Sequence, residues 1–288
     1  MTTGSGGLSV SAHGLVHIYR VEGNDVVALT SVDLEIAPGQ MVGLLGPSGS
    51  GKSTLLTLLA GLQRPSAGRL RVGAHDLAAV EPDDLDGMRA TEVGIVLQGA
   101  ARNLLPYATP RRNVAYAQRA ARRRGRRDLP AAGEVLALLG LADELDHPLA
   151  TLTPGQLQRV AVATGMAALP GLLLADEPTS QLDHRHRDEV LDAITDVNAQ
   201  LGTTVITVTH DPDVAARMPR TITIRDGRIG AEGRGGEEFV VVGRDGSVQL
   251  PPEIRARFAS GDLLRVEITE EGVIQLRPRE SDSEGETP

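Results

Sequence analysis

An α/β fold followed by a small β-rich domain is predicted for these 288 residues, and three observations carry the prediction. Short apolar runs of strand length alternate with segments of helical period. A glycine-rich loop falls at a strand-to-helix junction. Beyond a glycine-rich stretch at 231–236, the pattern changes to short strands at close spacing. The length suggests about two domains, and 41% hydrophobic content is enough for a substantial core.

Composition narrows the function before any motif is read. The sequence has no cysteine, which excludes disulfides, thiolate metal sites and cysteine nucleophiles and agrees with a reducing compartment. No apolar run approaches the roughly 20 residues that cross a bilayer, and residues 1–7 are polar and glycine-rich, so they are expected to be disordered and the protein cytoplasmic. A net charge of -9 argues against broad nucleic-acid affinity, because phosphate backbones are held by surplus Lys and Arg; no specific nucleic acid is expected as a partner.

The first buried strand is expected at 40–45 and the first helix at 53–62, where Leu55, Leu56, Leu58 and Leu59 recur at helical spacing. Between them lies Gly46-Pro47-Ser48-Gly49-Ser50-Gly51-Lys52-Ser53-Thr54, the G-x4-G-K-[ST] pattern of a phosphate-binding loop. Its glycines let backbone N–H groups converge on phosphates at a helix N-terminus, where unpaired donors and the macrodipole favour an anion. Lys52 is the only lysine among 29 basic residues. A lone lysine marks a place where a compact ammonium, not a planar guanidinium, is required, and it would reach the β- and γ-phosphates of a nucleotide. The Ser53 hydroxyl would ligate magnesium, and Thr54 would meet the α-phosphate.

A second strand, Leu172-Leu173-Leu174-Ala175, ends in Asp176-Glu177-Pro178. Two carboxylates at a strand tip are costly without a purpose: Asp176 fits a magnesium partner held through water, and Glu177 fits the base or polariser of an attacking water. A third strand, Thr204-Val205-Ile206-Thr207-Val208, leads to His210, whose imidazole could contact the γ-phosphate.

With these motifs in this order, the chain resembles the ATP-binding subunit of ABC transporters from about Leu8 to Ile229. The resemblance implies a P-loop NTPase fold with a RecA-like core, an antiparallel β subdomain and a helical subdomain over 8–230, with ATP and Mg2+ as ligands. It also implies that Tyr19 is the aromatic platform for adenine and that Gln98 links magnesium to a membrane partner, acting as both a catalytic and a metal-associated residue. Ser180-Gln181-Leu182-Asp183 resembles the loop that crosses a homodimer, with Asp183 its informative member; Asp183 alone would also read as a helix cap. The permease would be a separate membrane subunit, and the chain would sit peripherally on the inner face of the membrane through it. Asn103-Leu104-Leu105-Pro106, Asn113-Val114 and residues 23–29 look like the lipoprotein-release and macrolide-export branch.

The family signature, usually Leu-Ser-Gly-Gly-Gln, is altered here to Leu152-Thr153-Pro154-Gly155-Gln156. The resemblance implies that Thr153, Gly155 and Gln156 face the γ-phosphate of the opposite subunit. Pro154 removes one N–H from that turn but fixes φ near the value of a first helical turn, so hydrolysis is expected to be retained and slowed. Arg119, Arg122, Arg123, Arg124, Arg126 and Arg127 read as a solvated connection, or as a surface for anionic lipid or an acidic permease loop.

After the expected linker at 231–236, the spacing predicts ββαββ: a strand at 239–243, a turn at 244–246, a strand at 247–250, a helix opening at Pro252, and strands at 263–269 and 273–277. Val248-Gln249-Leu250-Pro251-Pro252-Glu253-Ile254-Arg255 and Gly261-Asp262-Leu263-Leu264-Arg265-Val266 resemble the swapped-hairpin AbrB-type domain, a family of intertwined dimers. Over 237–279 so few residues bury little core alone, which favours a dimer clasp, and the acidic residues leave no surplus basic face for DNA. The acidic residues 280–288 are expected to be disordered. Two rivals remain at this level: a soluble ABC ATPase acting on DNA or ribosomes, and a nucleotide-sensing regulator that binds DNA through the appendage.

Overall fold

The computed structural model describes residues 6–21, 23–244, 246–259 and 261–278. The expected disorder at 280–288 and at 1–5 therefore lies outside the described residues, as does Asp245 of the expected turn.

The chain opens with two long strands, β1 (Val10–Val21) and β2 (Asn24–Ile36), followed by β3 (Met41–Leu45) and helix α1 (Lys52–Leu59). Then come β4 (Ala67–Val72), β5 (His75–Asp76), α2 (Pro82–Thr91) and β6 (Val93–Val96). A helical stretch follows with α3 (Pro110–Arg123), α4 (Ala132–Leu138) and α5 (Pro154–Gly165). The second half carries β7 (Leu172–Asp176), α6 (His184–Leu201), β8 (Thr204–Val208), α7 (Pro212–Ala216), β9 (Arg220–Arg225) and β10 (Arg228–Arg234). It closes with β11 (Glu237–Val240), α8 (Pro252–Arg255), β12 (Leu264–Ile268) and β13 (Ile274–Pro278).

The central sheet has the order β11-β10-β9-β3-β8-β7-β6, with β9, β3, β8, β7 and β6 parallel. Its middle strands are apolar on both faces because both faces are covered. Leu172, Leu174, Ile206 and Val42 face one core together with α1 and the antiparallel sheet β2-β1-β4-β5. Leu173, Ala175, Val205 and Met41 face the other core, with α5 and α6. The strand alternation thus divides the chain between two cores.

The expected linker at 231–236 takes a different form. Ala231–Arg234 are the second half of β10, and only Gly235 and Gly236, both at positive φ, form the turn. That two-residue turn, which needs left-handed backbone, folds β11 back onto β10, with Ala231 opposite Val240 and Arg234 opposite Glu237. The reason is the free edge of β10, which offers unpaired N–H and C=O groups to the next extended segment. Residues 239–241 of the strand expected at 239–243 therefore pair with β10, and its last two residues turn to 247–248, where Gly243 N–H donates to Ser247 O at 2.7 Å. Among the described residues, one bridge, Val242 to Val248, stands where the first appendage hairpin was expected. The helix at Pro252 and the last two strands form as expected, and β12 and β13 pair as an antiparallel hairpin.

Candidate functional site

The parallel sheet collects the sequence-distant motifs at one end. Leu44 of β3 pairs with Val208 of β8, and Val208 with Asp176 of β7. The segments beyond these tips stay in register, because Thr209 N–H donates to Leu44 O (3.1 Å) and Glu177 N–H donates to Val208 O (3.0 Å). Phosphate loop, carboxylates and histidine are thereby brought together, as ligand sites at the carboxyl ends of such sheets require.

The loop ends on Gly51 at φ 104, and a Cβ there would lie 2.6 Å from Ala28 O. Ala28 sits in an irregular step of the β1–β2 ladder, between Val27 and Leu29, so the close approach of two backbones excludes any side chain. Lys52 is only 7% exposed. Its Nζ donates to Gly46 O at 2.8 Å and Pro47 O at 2.7 Å. Burial lowers its pKa, against the raising effect of Glu177 and Asp176.

Asp176 is half-buried, and burial pushes its carboxyl above the ordinary aspartate value, with the adjacent Glu177 adding to the rise. The Ser53 hydroxyl beside the Asp176 carboxylate counters the shift, as do Lys52 and Arg102. A half-buried carboxylate short of positive charge, beside a hydroxyl, is a hard oxygen donor pair of the kind that suits magnesium shared with phosphates. Glu177, 15% exposed, has φ 51, and its Oε1 lies 2.7 Å from His210 Nδ1. Left-handed backbone at a non-glycine residue is sparsely populated, and such strain collects at functional sites.

Tyr19 reaches the same region from β1: its hydroxyl lies 3.2 Å from Thr54 Oγ1, and its ring meets His17 edge-on with centroids 4.7 Å apart. Gln98 lies just past β6 and is exposed. Its loop is bracketed by Asn103, whose Oδ1 accepts from Leu97 N–H (2.8 Å) and whose Nδ2 donates to Leu97 O and Gly99 O. A 640 Å3 cleft flanks Gly46, Pro47 and His210, and residues 233–238 of the β10–β11 hairpin form its far wall.

The signature residues stand apart from this cluster. Thr153 caps α5, with its Oγ1 accepting from Gln156 N–H (3.2 Å), while Gln156 Oε1 accepts from Thr153 N–H (2.9 Å). Pro154 occupies the first helical turn, where its missing N–H costs no helix bond. Gly155 is pressed against α6: a Cβ there would lie 2.7 Å from His186 Cδ2. Asp183 caps α6, accepting from His186 N–H at 2.9 Å, and its carboxylate also meets His186 Nδ1. Its pKa is lowered by that backbone bond first and by the imidazole second.

Two contacts here were not read from the sequence. Glu144 Oε1 accepts from Gln156 Nε2 at 2.7 Å and so fixes the orientation of the signature amide. Arg187, in the first turn of α6, reaches across to Asp211 and Asp213. Both pairings are long-range and leave no local pattern. The arginine run also changes character: Arg119, Arg122 and Arg123 belong to α3, Arg124 bonds Asp83 at 2.8 Å, and Arg126 donates to Thr91 O at 2.8 Å. Half of the expected solvated connection is therefore helix, and Arg122 and Arg123 lie in its C-terminal turn, where cations are favoured.

Strand, glycine loop, helix, paired carboxylates and strand-end histidine define a P-loop nucleotide-binding protein of the α/β class. The ABC transporter family model matches residues 29–180, and the chain belongs to that family as an ABC ATPase cassette. It is 43% identical over 206 residues to the lipoprotein-releasing system ATP-binding protein LolD of Anaeromyxobacter dehalogenans, covering 71% of this chain and 85% of that one. It is 39% identical over 246 residues to the macrolide export ATP-binding/permease protein MacB of Rhodopseudomonas palustris. That match covers 85% of this chain but only 37% of MacB. Among solved structures, the dimeric bacterial ABC transporter cassette MJ0796 superposes with a TM-score of 0.68 at 31% identity, covering 80% of this chain and all of that one. The same cassette as a post-hydrolysis dimer bound to ADP and Pi gives a TM-score of 0.67 at 30% identity.

Proposed function

We propose that this chain is the ATP-binding subunit of an ABC transporter, hydrolysing ATP in a head-to-tail homodimer to drive a conformational change in a separate membrane permease. The observation that carries the reading is the cluster at the sheet tips: Lys52 and the loop amides to hold phosphates, Ser53 and Asp176 side by side, and Glu177 on His210. Gly46, Pro47, Ser48, Gly49, Ser50, Gly51, Lys52, Ser53 and Thr54 bind the phosphates, and Tyr19 stacks on adenine. Thr153, Gly155, Gln156 and Asp183 of a second copy complete each site. Two ATP molecules are then shared between the copies.

Glu177 positions and polarises the attacking water, and His210 orients Glu177 and the γ-phosphate. Ser53, Gln98 and, through water, Asp176 would hold Mg2+, which would neutralise charge on the β- and γ-phosphates. Thr153 is suited to its role because its oxygen already accepts from Gln156 N–H, leaving its hydrogen free to donate to a phosphate oxygen.

A permease partner is supported by a 330 Å3 groove between Leu105, Tyr107, Tyr116 and Arg119. Tyr107 is 82% exposed and Tyr116 55%, and exposed tyrosines flanked by arginine are the composition of an interaction hot spot. No helix among the described residues is long and apolar enough to cross a membrane, and we place the subunit on the cytoplasmic face through its partner. The residues beyond 240 act as an AbrB-type dimer clasp. In the β12–β13 register, Val266 lies opposite Leu276 and Ile268 opposite Ile274, so these side chains share one face. Val266, Ile268 and Ile274 are 63%, 74% and 67% exposed. A lone two-stranded hairpin is marginal in water, and a second copy would cover that face.

Mg2+-dependent ATPase assays on the purified chain test the reading against a Glu177→Gln control. Turnover above that control supports it. ATP-dependent closure with no turnover above the control would make the protein a nucleotide-gated clamp instead.

A further inference from the structure

Arg187 is only 12% exposed, yet three carboxylates surround its guanidinium. Its Nη1 lies 3.0 Å from Asp213 Oδ2 and 3.2 Å from Asp211 Oδ2, and its Nε lies 3.4 Å from Asp188 Oδ1. Asp211 directly follows His210. It caps α7 by accepting from Asp213 N–H at 2.9 Å, and its own N–H donates to Thr209 Oγ1 at 3.1 Å. The loop that carries His210 is thus fixed to itself on both sides and to α6 by Arg187.

The other end of the connection is Asp183. Arg187 N–H donates to Asp183 O at 2.9 Å in the same turn that the Asp183 carboxylate caps. The chain from Asp183 back to Glu177 is closed by Leu182 N–H to Thr179 O and Ser180 N–H to Glu177 O. Glu177, His210, Asp211, Arg187 and Asp183 therefore form a closed circuit of bonds.

We propose that Arg187 is a positioning residue for ATP hydrolysis: it holds the His210 loop so that the imidazole stays on Glu177, and it conveys movement of the Asp183 loop to that pair. The inference rests on the reading of Glu177 and His210 as the hydrolytic pair. Its physical basis is charge. Without the guanidinium, Asp211 and Asp213, whose side chains are 36% and 65% exposed, lose the cation that both share, and two like charges within reach of one guanidinium repel, an effect that solvent screens in part. Repulsion then displaces Asp211 and its neighbour His210, and misplacing a catalytic group by about 1 Å costs up to about 100-fold in rate.

Arg217 supplies the control. It joins the same two helices through Asp188 and Asp192 but lies beyond the far end of α7 and is 38% exposed. The experiment measures kcat, KM, nucleotide Kd with a fluorescent ATP analogue, and Tm for the full chain. Arg187→Ala lowers kcat by about tenfold or more while Kd stays within about twofold, the signature of a group acting after binding. Arg187→Lys, which keeps the charge but not the fork, restores part of kcat and carries the test alone if Arg187→Ala yields no soluble protein. Asp211→Asn costs less on top of Arg187→Ala than by itself, because the two residues act as one unit. Arg217→Ala keeps kcat.

Wild-type kcat in Arg187→Ala would overturn the inference alone, and so would equal losses in Arg187→Ala and Arg217→Ala, which would mark a purely structural bridge. A wild-type chain that binds ATP without turnover would overturn the functional reading and this inference with it.

Discussion

Restoring glycine at position 154 should move stability and ATP-driven pairing in opposite directions. Pro154 is exposed at the start of α5, directly after the cap Thr153, whose φ is -67 and ψ 160. In Pro154→Gly the ring no longer restricts the unfolded chain, a loss of roughly 0.4–1 kcal/mol, and glycine in the first turn adds a cost of up to about 1 kcal/mol. A total of about 0.4–2 kcal/mol corresponds to a fall in Tm of roughly 1–8 °C for a domain of this size. Against this, in the proposed dimer the new N–H would join the turn through which Thr153 and Gly155 are proposed to meet the partner's γ-phosphate. A hydrogen bond to a charged acceptor contributes about 1.5–3 kcal/mol, so ATP-dependent dimerisation should tighten by roughly 10- to 100-fold per site. Sedimentation of both proteins in a Glu177→Gln background, with and without ATP, reads the nucleotide-dependent increment separately from pairing by the appendage. A lower Tm with an unchanged increment would refute the reasoning, because the turn would then not be an anion site.

Three further outcomes follow from the site and the appendage. Asp176→Asn should raise the Tm of the nucleotide-free protein: a carboxyl whose folded pKa is raised costs stability above that pKa, and the cost fades as pH falls through it. Thermal scans across pH should therefore show the difference from wild type narrowing in acid, and added Mg2+ with ATP should stabilise the variant less than the wild type. Glu144→Ala frees the Gln156 amide and should reduce ATP-dependent dimerisation by about 2- to 10-fold in the same sedimentation assay, with nucleotide affinity unchanged. Val266→Asp combined with Ile274→Asp places charge on the exposed face of the β12–β13 hairpin and should abolish nucleotide-independent self-association without lowering ATP affinity, as size-exclusion and nucleotide titration would show.

The motor was legible because its chemistry sits where local pattern is strongest. Short continuous apolar runs bounded by polar or turn residues, such as Leu172-Leu173-Leu174-Ala175, fit strands buried on both faces, and this one ends in the polar residues of interest. Once β3, β7 and β8 are parallel neighbours, the ends of all three must meet, so Lys52, Glu177 and His210 converge without any long-range reading of the sequence. Bonds between elements leave no such trace. Arg187 to Asp211 spans 24 residues and Gln156 to Glu144 spans 12, and neither pair has a spacing that distinguishes it from ordinary surface charge. The boundary near 231 was misplaced for another reason. Gly233, Gly235 and Gly236 make residues 231–236 look like a linker by composition, and only the edge of β9 gives β10 a strand partner, as β10 then does for β11. Removing the appendage after Gly230 would delete Glu232, whose carboxylate is bonded to Arg220 at 2.8 Å, so a cut that spares the motor must fall beyond β11.

The way the loop grips its single lysine has a practical consequence. Lys52 carries the only ε-amine in the sequence, and two carbonyl oxygens occupy it in the free protein. An acylating reagent attacks only an amine that has let go of its partners and shed its proton, so the mass added to the intact chain beyond its terminal amine reports a single residue. The rate of that addition is a clock for spontaneous opening of the loop, and its arrest by a bound ligand would count occupied sites one molecule at a time.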